Sequence, residues 1–148
     1  MANLFPREGG CRCGKVRFRL TVDPLITSAC HCRGCQRMSS SAFSMTAIMP
    51  PTGFEVISGE TVIGGLRGEQ KHHFCGDCMT WVFTEPGFGV INVRSTLLDD
   101  PEDFAPFIET MTAEKLSWAV TPAIHGFAGF PPEAAFGPLM AEYAARQA

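Results

Sequence analysis

Seven cysteines dominate the chemistry open to this sequence: Cys11, Cys13, Cys30, Cys32, Cys35, Cys75 and Cys78. They fall as C-x-C, C-x-C-x-x-C and C-x-x-C, and an odd number cannot all pair within one chain. Neighbours this close are awkward disulfide partners, because the bridge demands a particular Cα separation. The same closeness suits a metal ion, which draws several sulfurs to about 2.3 Å from one centre. Thiolate-only donor sets suit zinc, iron–sulfur clusters or copper(I), and two widely spaced pairs in a small chain favour zinc. Seven ligands divide naturally into four and three. Four close a structural site, whereas three leave a position for water or substrate. Cys30, Cys32 and Cys35 could supply three ligands from one short loop, and the pairs Cys11/Cys13 and Cys75/Cys78 could complete a four-sulfur site that staples the first strand to a later hairpin. Spacing leaves one alternative open: His31, His72 or His73 could act as a fourth ligand and close the loop site as well.

The residues around the cysteines carry weaker signals. Arg12, Arg33 and Arg37 lie beside proposed ligands and could offset the negative charge of thiolate-bound metal. Arg33 or Arg37 could also hold a substrate carboxylate, whose geometry a guanidinium matches. His31 sits between two proposed ligands and reads as a ligand, a hydrogen-bond donor to a thiolate or a plain loop residue. His72 and His73 alternate faces on a strand, so at most one points toward Cys75. His125 lies in a Gly-rich tail with no evident partner.

The elements that must position these groups are mostly strands. Gly 15 and Pro 11 disfavour a helical bundle and suit short strands joined by turns. Val16, Phe18, Leu20 and Val22 alternate with polar residues over Gly14 to Val22, the pattern of a half-buried strand that Asp23-Pro24 ends. A short helix or turn is expected over Gln36 to Ser41, and a strand over Ala42 to Met49. Phe54 to Ser58 and Thr61 to Leu66 read as a strand pair around Gly59-Glu60. Lys71 to Phe74 and Thr80 to Thr84 read as a hairpin with two sulfurs at its tip. Phe88 to Leu97 gives another strand, with Val90, Asn92 and Arg94 on one face, and Phe107 to Met111 a last one. Gly137-Pro138 opens a C-terminal helix over Leu139 to Gln147, with Leu139, Met140 and Tyr143 on its apolar side. Phe43, Phe74 and Phe83 could wall a dry pocket or pack in the core, and the Phe-rich stretch from Phe127 to Phe136 could cover a pocket or mediate self-association.

Length and composition bound the function. At 148 residues and 45% hydrophobic, the chain has the size and apolar content of one folded domain. A net charge of −3 argues against a nucleic-acid surface. No apolar run approaches the roughly 18 residues that span a bilayer, and MANLFPREGG lacks the apolar stretch of a secretory signal, so a reducing cytoplasm is the expected compartment. The sequence assigns no oligomeric state.

Taken together, Gly10-Cys11-Arg12-Cys13-Gly14-Lys15-Val16-Arg17-Phe18, Cys30-His31-Cys32-Arg33-Gly34-Cys35-Gln36-Arg37 and His73-Phe74-Cys75-Gly76-Asp77-Cys78 resemble the glutathione-dependent formaldehyde-activating enzyme family, which includes centromere protein V. The resemblance spans about residues 9 to 120, and Pro106 to Trp118 looks like the family's closing strand and tryptophan. It implies a mainly β, zinc-containing antiparallel β-tent fold with a short C-terminal helix, residues 1–148 forming one zinc-binding domain with about 121–148 as an extension. It implies two zinc ions per chain. Cys11, Cys13, Cys75 and Cys78 would match the structural site, and Cys30, Cys32 and Cys35 the catalytic one. The implied activity is that of a carbon–sulfur lyase, adding a thiol such as glutathione to an aldehyde such as formaldehyde or reversing that addition. A non-catalytic zinc-stabilised binding module and a thiolate redox or metal sensor are the alternatives. The chain departs from the family where Ser40 and Met79 stand in place of usual glycines, and where Phe107 stands in place of a frequent histidine.

Overall fold

Val16, Phe18 and Leu20 are fully buried, as their alternation predicts, whereas Val22 is 44% exposed because the strand stops before it. The computed structural model describes residues 5–147; the first four residues of the opening MANLFPREGG lie outside the described residues. Strand β1 (Arg7–Gly10) pairs antiparallel with β2 (Arg17–Leu20). Then come β3 (Ile26–Cys30), helix α1 (Arg33–Ser39), β4 (Ser44–Met49) and β5 (Phe54–Ser58). Next are β6 (Thr61–Gly64), β7 (Lys71–Cys75), β8 (Trp81–Glu85) and β9 (Ile91–Arg94). The chain closes with β10 (Ile108–Thr110), β11 (His125–Gly126) and helix α2 (Glu133–Gln147). The fold is mainly β, with a C-terminal helix as the resemblance implied.

Two sheets form: β1-β2-β5, and β11-β10-β3-β4-β9-β8-β7-β6. Pairing is antiparallel except where β10 lies parallel to both β3 and β11. The sheets enclose a core of Phe18 and Leu20 against Ala47, Met49, Val82, Phe83 and Val93. Phe54 bridges it, its ring 5.7 Å from Phe18 and 4.9 Å from Phe83. Each of the larger of these side chains removed from water contributes about 1.5–3 kcal/mol. Gly9 is required where β1 bridges to Leu98, just past the turn that follows β9, since a Cβ there would collide with the Leu97 carbonyl oxygen.

Several expectations change. Phe54–Ser58 and Thr61–Gly64 do not pair: β5 joins β2 and β6 joins β7, in different sheets. Gly59, at φ +81°, lets the chain cross there; a Cβ would lie 2.2 Å from the Lys15 carbonyl oxygen. Strand β3 falls in what read as loop, because Ile26 to Ala29 are buried on both faces and show no alternation. Helix α1 begins at Arg33, and α2 at Glu133, directly after Pro131-Pro132, so Pro138 lies inside α2 rather than at its start. The apolar side of α2 is as predicted: Leu139 and Tyr143 pack with Ile26, Phe107 and Ile108. Phe107 is absorbed there, edge-on to Tyr143 at 5.5 Å. Phe83 belongs to the core and Phe74 stacks on Trp81, while Phe43 helps to line a cavity of about 310 Å³ with Met45, Pro106 and Val120. The Phe-rich stretch divides: Phe127 to Gly129 hydrogen-bond the backbone of Met111 to Ala113, and Glu133 to Phe136 belong to α2. Among the described residues, no helix is long and apolar enough to cross a membrane.

Candidate functional site

The loop after β3 brings the sulfurs of Cys30, Cys32 and Cys35 within 4.8 Å of one another. Cys30 ends β3, Cys32 is the N-cap of α1, and Cys35 sits in that helix's first turn. The Cys35 amide donates to Cys32 Sγ at 3.2 Å, so one sulfur both caps the helix and faces the cluster. Distant residues hold the loop. The His31 amide donates to the Thr110 carbonyl at 3.0 Å, and the buried Gln36 side chain donates to the carbonyls of His31 (2.8 Å) and Glu114 (3.1 Å). His31 itself is fully buried, with Nε2 2.9 Å from Glu109 Oε1, which also accepts from Lys115 at 3.0 Å. It is therefore an anchor of the loop.

The second group gathers Cys11, Cys13, Cys75 and Cys78, again within 4.8 Å. Cys11 and Cys13 come from the β1–β2 turn, and Cys75 and Cys78 from the β7–β8 tip. Amides point at the sulfurs: Val16 donates to Cys11 at 3.3 Å, and Asp77 and Cys78 donate to Cys75 at 3.4 Å. Lys15 pairs with Asp77 across the two turns.

The donor sets fit zinc. Sulfurs at about 2.3 Å from a tetrahedral ion lie about 3.8 Å apart. Cys11–Cys13 and Cys13–Cys75 are separated by 3.5 and 3.8 Å. All seven cysteines are free thiols. In each group one thiol is held near pKa 5. For Cys30, hydrogen bonds from the Cys35 thiol, the Cys32 backbone and the Thr110 hydroxyl outweigh burial. For Cys78 the Thr80 hydroxyl acts first. Cys35 is pushed far up, by its hydrogen bond to Cys30 and then by burial. Metal ligands must be thiolates, so each group holds one ready at neutral pH.

Among the described residues, no histidine joins either sulfur group. His72 Nδ1 bonds Thr84 at 2.8 Å, and burial followed by the Arg94 charge holds its pKa down. His73 lies between Thr61 and Glu85, at 2.9 and 2.8 Å, and stacks on Phe83. His125 pairs with Glu142 at 2.7 Å. Arg33 and Arg37 lie exposed on α1, the Arg33 guanidinium turned to Gln36. Arg12 is exposed, its amide donating to Thr80. The charged group that sequence reasoning missed is Arg94, 7% exposed, whose pKa burial pulls down to about 10 against the opposing pull of the Cys35 and Cys30 sulfurs. The one available signal was an arginine alternating with buried valine on a strand.

A sequence model of the family described as glutathione-dependent formaldehyde-activating enzyme matches residues 6–114. The chain belongs to that family. A Halomonas elongata protein provisionally named as a glutathione-dependent formaldehyde-activating enzyme is 26% identical over 140 residues, covering 85% of this chain and 89% of that protein. A crystal structure of a Rhodobacter sphaeroides protein superposes with a TM-score of 0.51 at 21% identity, covering 63% of this chain and 88% of the other, a likeness of fold.

Proposed function

We propose that the chain is a zinc-dependent carbon–sulfur lyase of the S-hydroxymethylglutathione synthase type, acting on a small thiol such as glutathione and an aldehyde such as formaldehyde. The observation that carries this reading is the inequality of the two sulfur groups: four cysteines in one, three in the other, and, among the described residues, no histidine nitrogen gathered with the three sulfurs. On this reading Cys11, Cys13, Cys75 and Cys78 hold a structural zinc, Cys30, Cys32 and Cys35 a catalytic one, and the chain acts as one zinc-binding domain with a C-terminal extension. Free thiols throughout suit a reducing compartment such as the cytoplasm.

A zinc held by three thiolates supplies, when bound, a site that lowers the pKa of an incoming thiol and orients its sulfur. The chain's residues do the rest. Cys32 ties the site to α1, and His31 with Glu109 and Lys115 fixes the loop from behind. On this reading Arg33 and Arg37, one turn apart on the exposed side of α1, would take a substrate carboxylate. In the forward direction a sulfur–carbon bond forms, the carbonyl π bond breaks, and the thiol proton passes through water to the new hydroxyl. The reverse step cleaves the carbon–sulfur bond with the same balance.

Zinc stoichiometry tests the reading. The protein is expected to hold two equivalents and Cys32→Ala about one, with its fold retained and thiol–formaldehyde adduct formation lost. Collapse of the fold in Cys32→Ala makes the loop metal structural. Adduct formation no faster than the uncatalysed background, with several thiols tried, leaves a zinc-stabilised binding module.

A further inference from the structure

Strand register joins Arg94 to the loop cysteines. Cys30 pairs with Ser44, and Thr46 pairs with Arg94. Residues paired across strands, or two apart along one, share a face of the sheet. Cys30, Ser44, Thr46 and Arg94 therefore project from the same side, with Asn92 and its partner Thr84 continuing the row. This row is polar and buried: Ser44 is 3%, Thr46 5% and Arg94 7% exposed. It is also under-satisfied, since Ser44 Oγ, Asn92 Oδ1 and Arg94 Nε have no hydrogen-bond partner. A buried guanidinium is ordinarily held by a carboxylate, because taking a lone charge out of water is costly. No carboxylate among the described residues pairs with Arg94. Its neighbours are the Asn92 carbonyl, accepting at 3.5 Å, and the Trp81 ring, 4.1 Å from the guanidinium carbon. Trp81 is itself tethered, its Nε1 donating to Thr84 at 3.0 Å. The arrangement clamps a buried cation against an aromatic face, on the side of the sheet from which Cys30 projects.

We propose that Arg94 is the positioning counter-charge of the three-sulfur centre: from the same face of the sheet it offsets the negative charge that the Cys30–Cys32–Cys35 set gathers around its metal, and it favours an anionic sulfur as the further ligand. The inference rests on reading that set as an open metal centre. Three thiolates and a dication sum to about −1, and an entering thiolate makes about −2. Arg94 offsets one of these charges from a place that water does not screen. The exposed Arg33 and Arg37 do not share that advantage. Among the described residues no buried cation accompanies the four-sulfur group; Lys15, two residues after Cys13, is exposed and pairs with Asp77.

Two neutral variants, Arg94→Met and Arg94→Gln, and the charge-keeping Arg94→Lys test this in the full zinc-loaded chain. Chelator competition reads the zinc affinity of each site, with the four-sulfur site as the internal reference. We expect loop-site affinity to fall about 10–100-fold in the neutral variants, to recover largely in Arg94→Lys, and to stay unchanged at the four-sulfur site. With cobalt(II) in the loop site, 2-mercaptoethanol binding, read by sulfur-to-cobalt absorption, weakens in the neutral variants while imidazole binding does not. Unchanged loop affinity overturns the proposal. So does equal weakening at both sites, equal weakening of both ligands, or loss of the fold in both neutral variants, each of which makes Arg94 a packing residue. Wild-type protein that binds only one zinc overturns the underlying reading and the proposal with it, whereas two zincs with indifferent variants overturn the proposal alone.

Discussion

In protein stripped of metal and kept reduced, the loop thiols are unequal. Cys30 is drawn down to about 5, first by its hydrogen bond from Cys35, and Cys35 is pushed far up by the same contact and by burial. The thiolate is the reactive form. Iodoacetamide at pH 7 is therefore expected to label Cys30 well ahead of Cys35. A depressed pKa extends the thiolate to lower pH, so the Cys30 rate holds its plateau as pH falls and drops only near pH 5. Mass spectrometry of the labelled sites reads the order; equal rates for Cys30 and Cys35 contradict it. At this scale the sequence spoke clearly about cysteines, because metal ligands announce themselves by type and short spacing. It was silent about Arg94, whose meaning depends on register across three strands. His31 shows the converse failure. Its place between two cysteines suggested several roles, and its actual role depends on Glu109, which lies 78 residues away in sequence.

Two turns beside the sulfur groups are built on strained residues. Ser40 caps α1 at φ 51°, and Met79 follows Cys78 at φ 60°. Both positions are left-handed, the region that favours glycine, the residue that the family resemblance led one to expect there. A left-handed conformation costs a non-glycine residue about 1–2 kcal/mol, and the greater freedom of glycine in the unfolded chain cancels part of the gain. Ser40→Gly and Met79→Gly are each expected to raise stability by about 0.5–1 kcal/mol in denaturant unfolding of zinc-loaded protein; a loss in either contradicts this account. Elements were legible where local pattern and tertiary role agree. The hairpin of β7 and β8 and the alternating β2 are such cases. Strand β3 was not legible, since burial on both faces erases alternation. The partner of β5 was not legible either, because two strands joined by Gly59-Glu60 look like a hairpin until the close approach of Lys15 is known. The start of α2 was hidden by Pro138, which ordinarily marks a first turn.

Across the molecule, the four-sulfur group brings the β1–β2 turn of the small sheet to the β7–β8 tip of the large one, and the proposed zinc there would link the two sheets. Its loss is expected to cost far more than loss of the loop metal. Cys75→Ser should lower unfolding stability by several kcal/mol, against about 1 kcal/mol for the cap lost in Cys32→Ala, and should remove most of the effect of chelators on the melting temperature. Equal losses in the two variants would contradict the division into a staple and a working site. The same link sets an order on synthesis. Cys13 and Cys75 are 62 residues apart, so a ribosome adding about 5–20 residues per second exposes the first thiol pair for roughly 3–12 s before its partners emerge. A nascent chain thus carries an unpartnered, oxidisable C-x-C through that interval, and the yield of folded protein is expected to fall when reductant or zinc is limiting during synthesis.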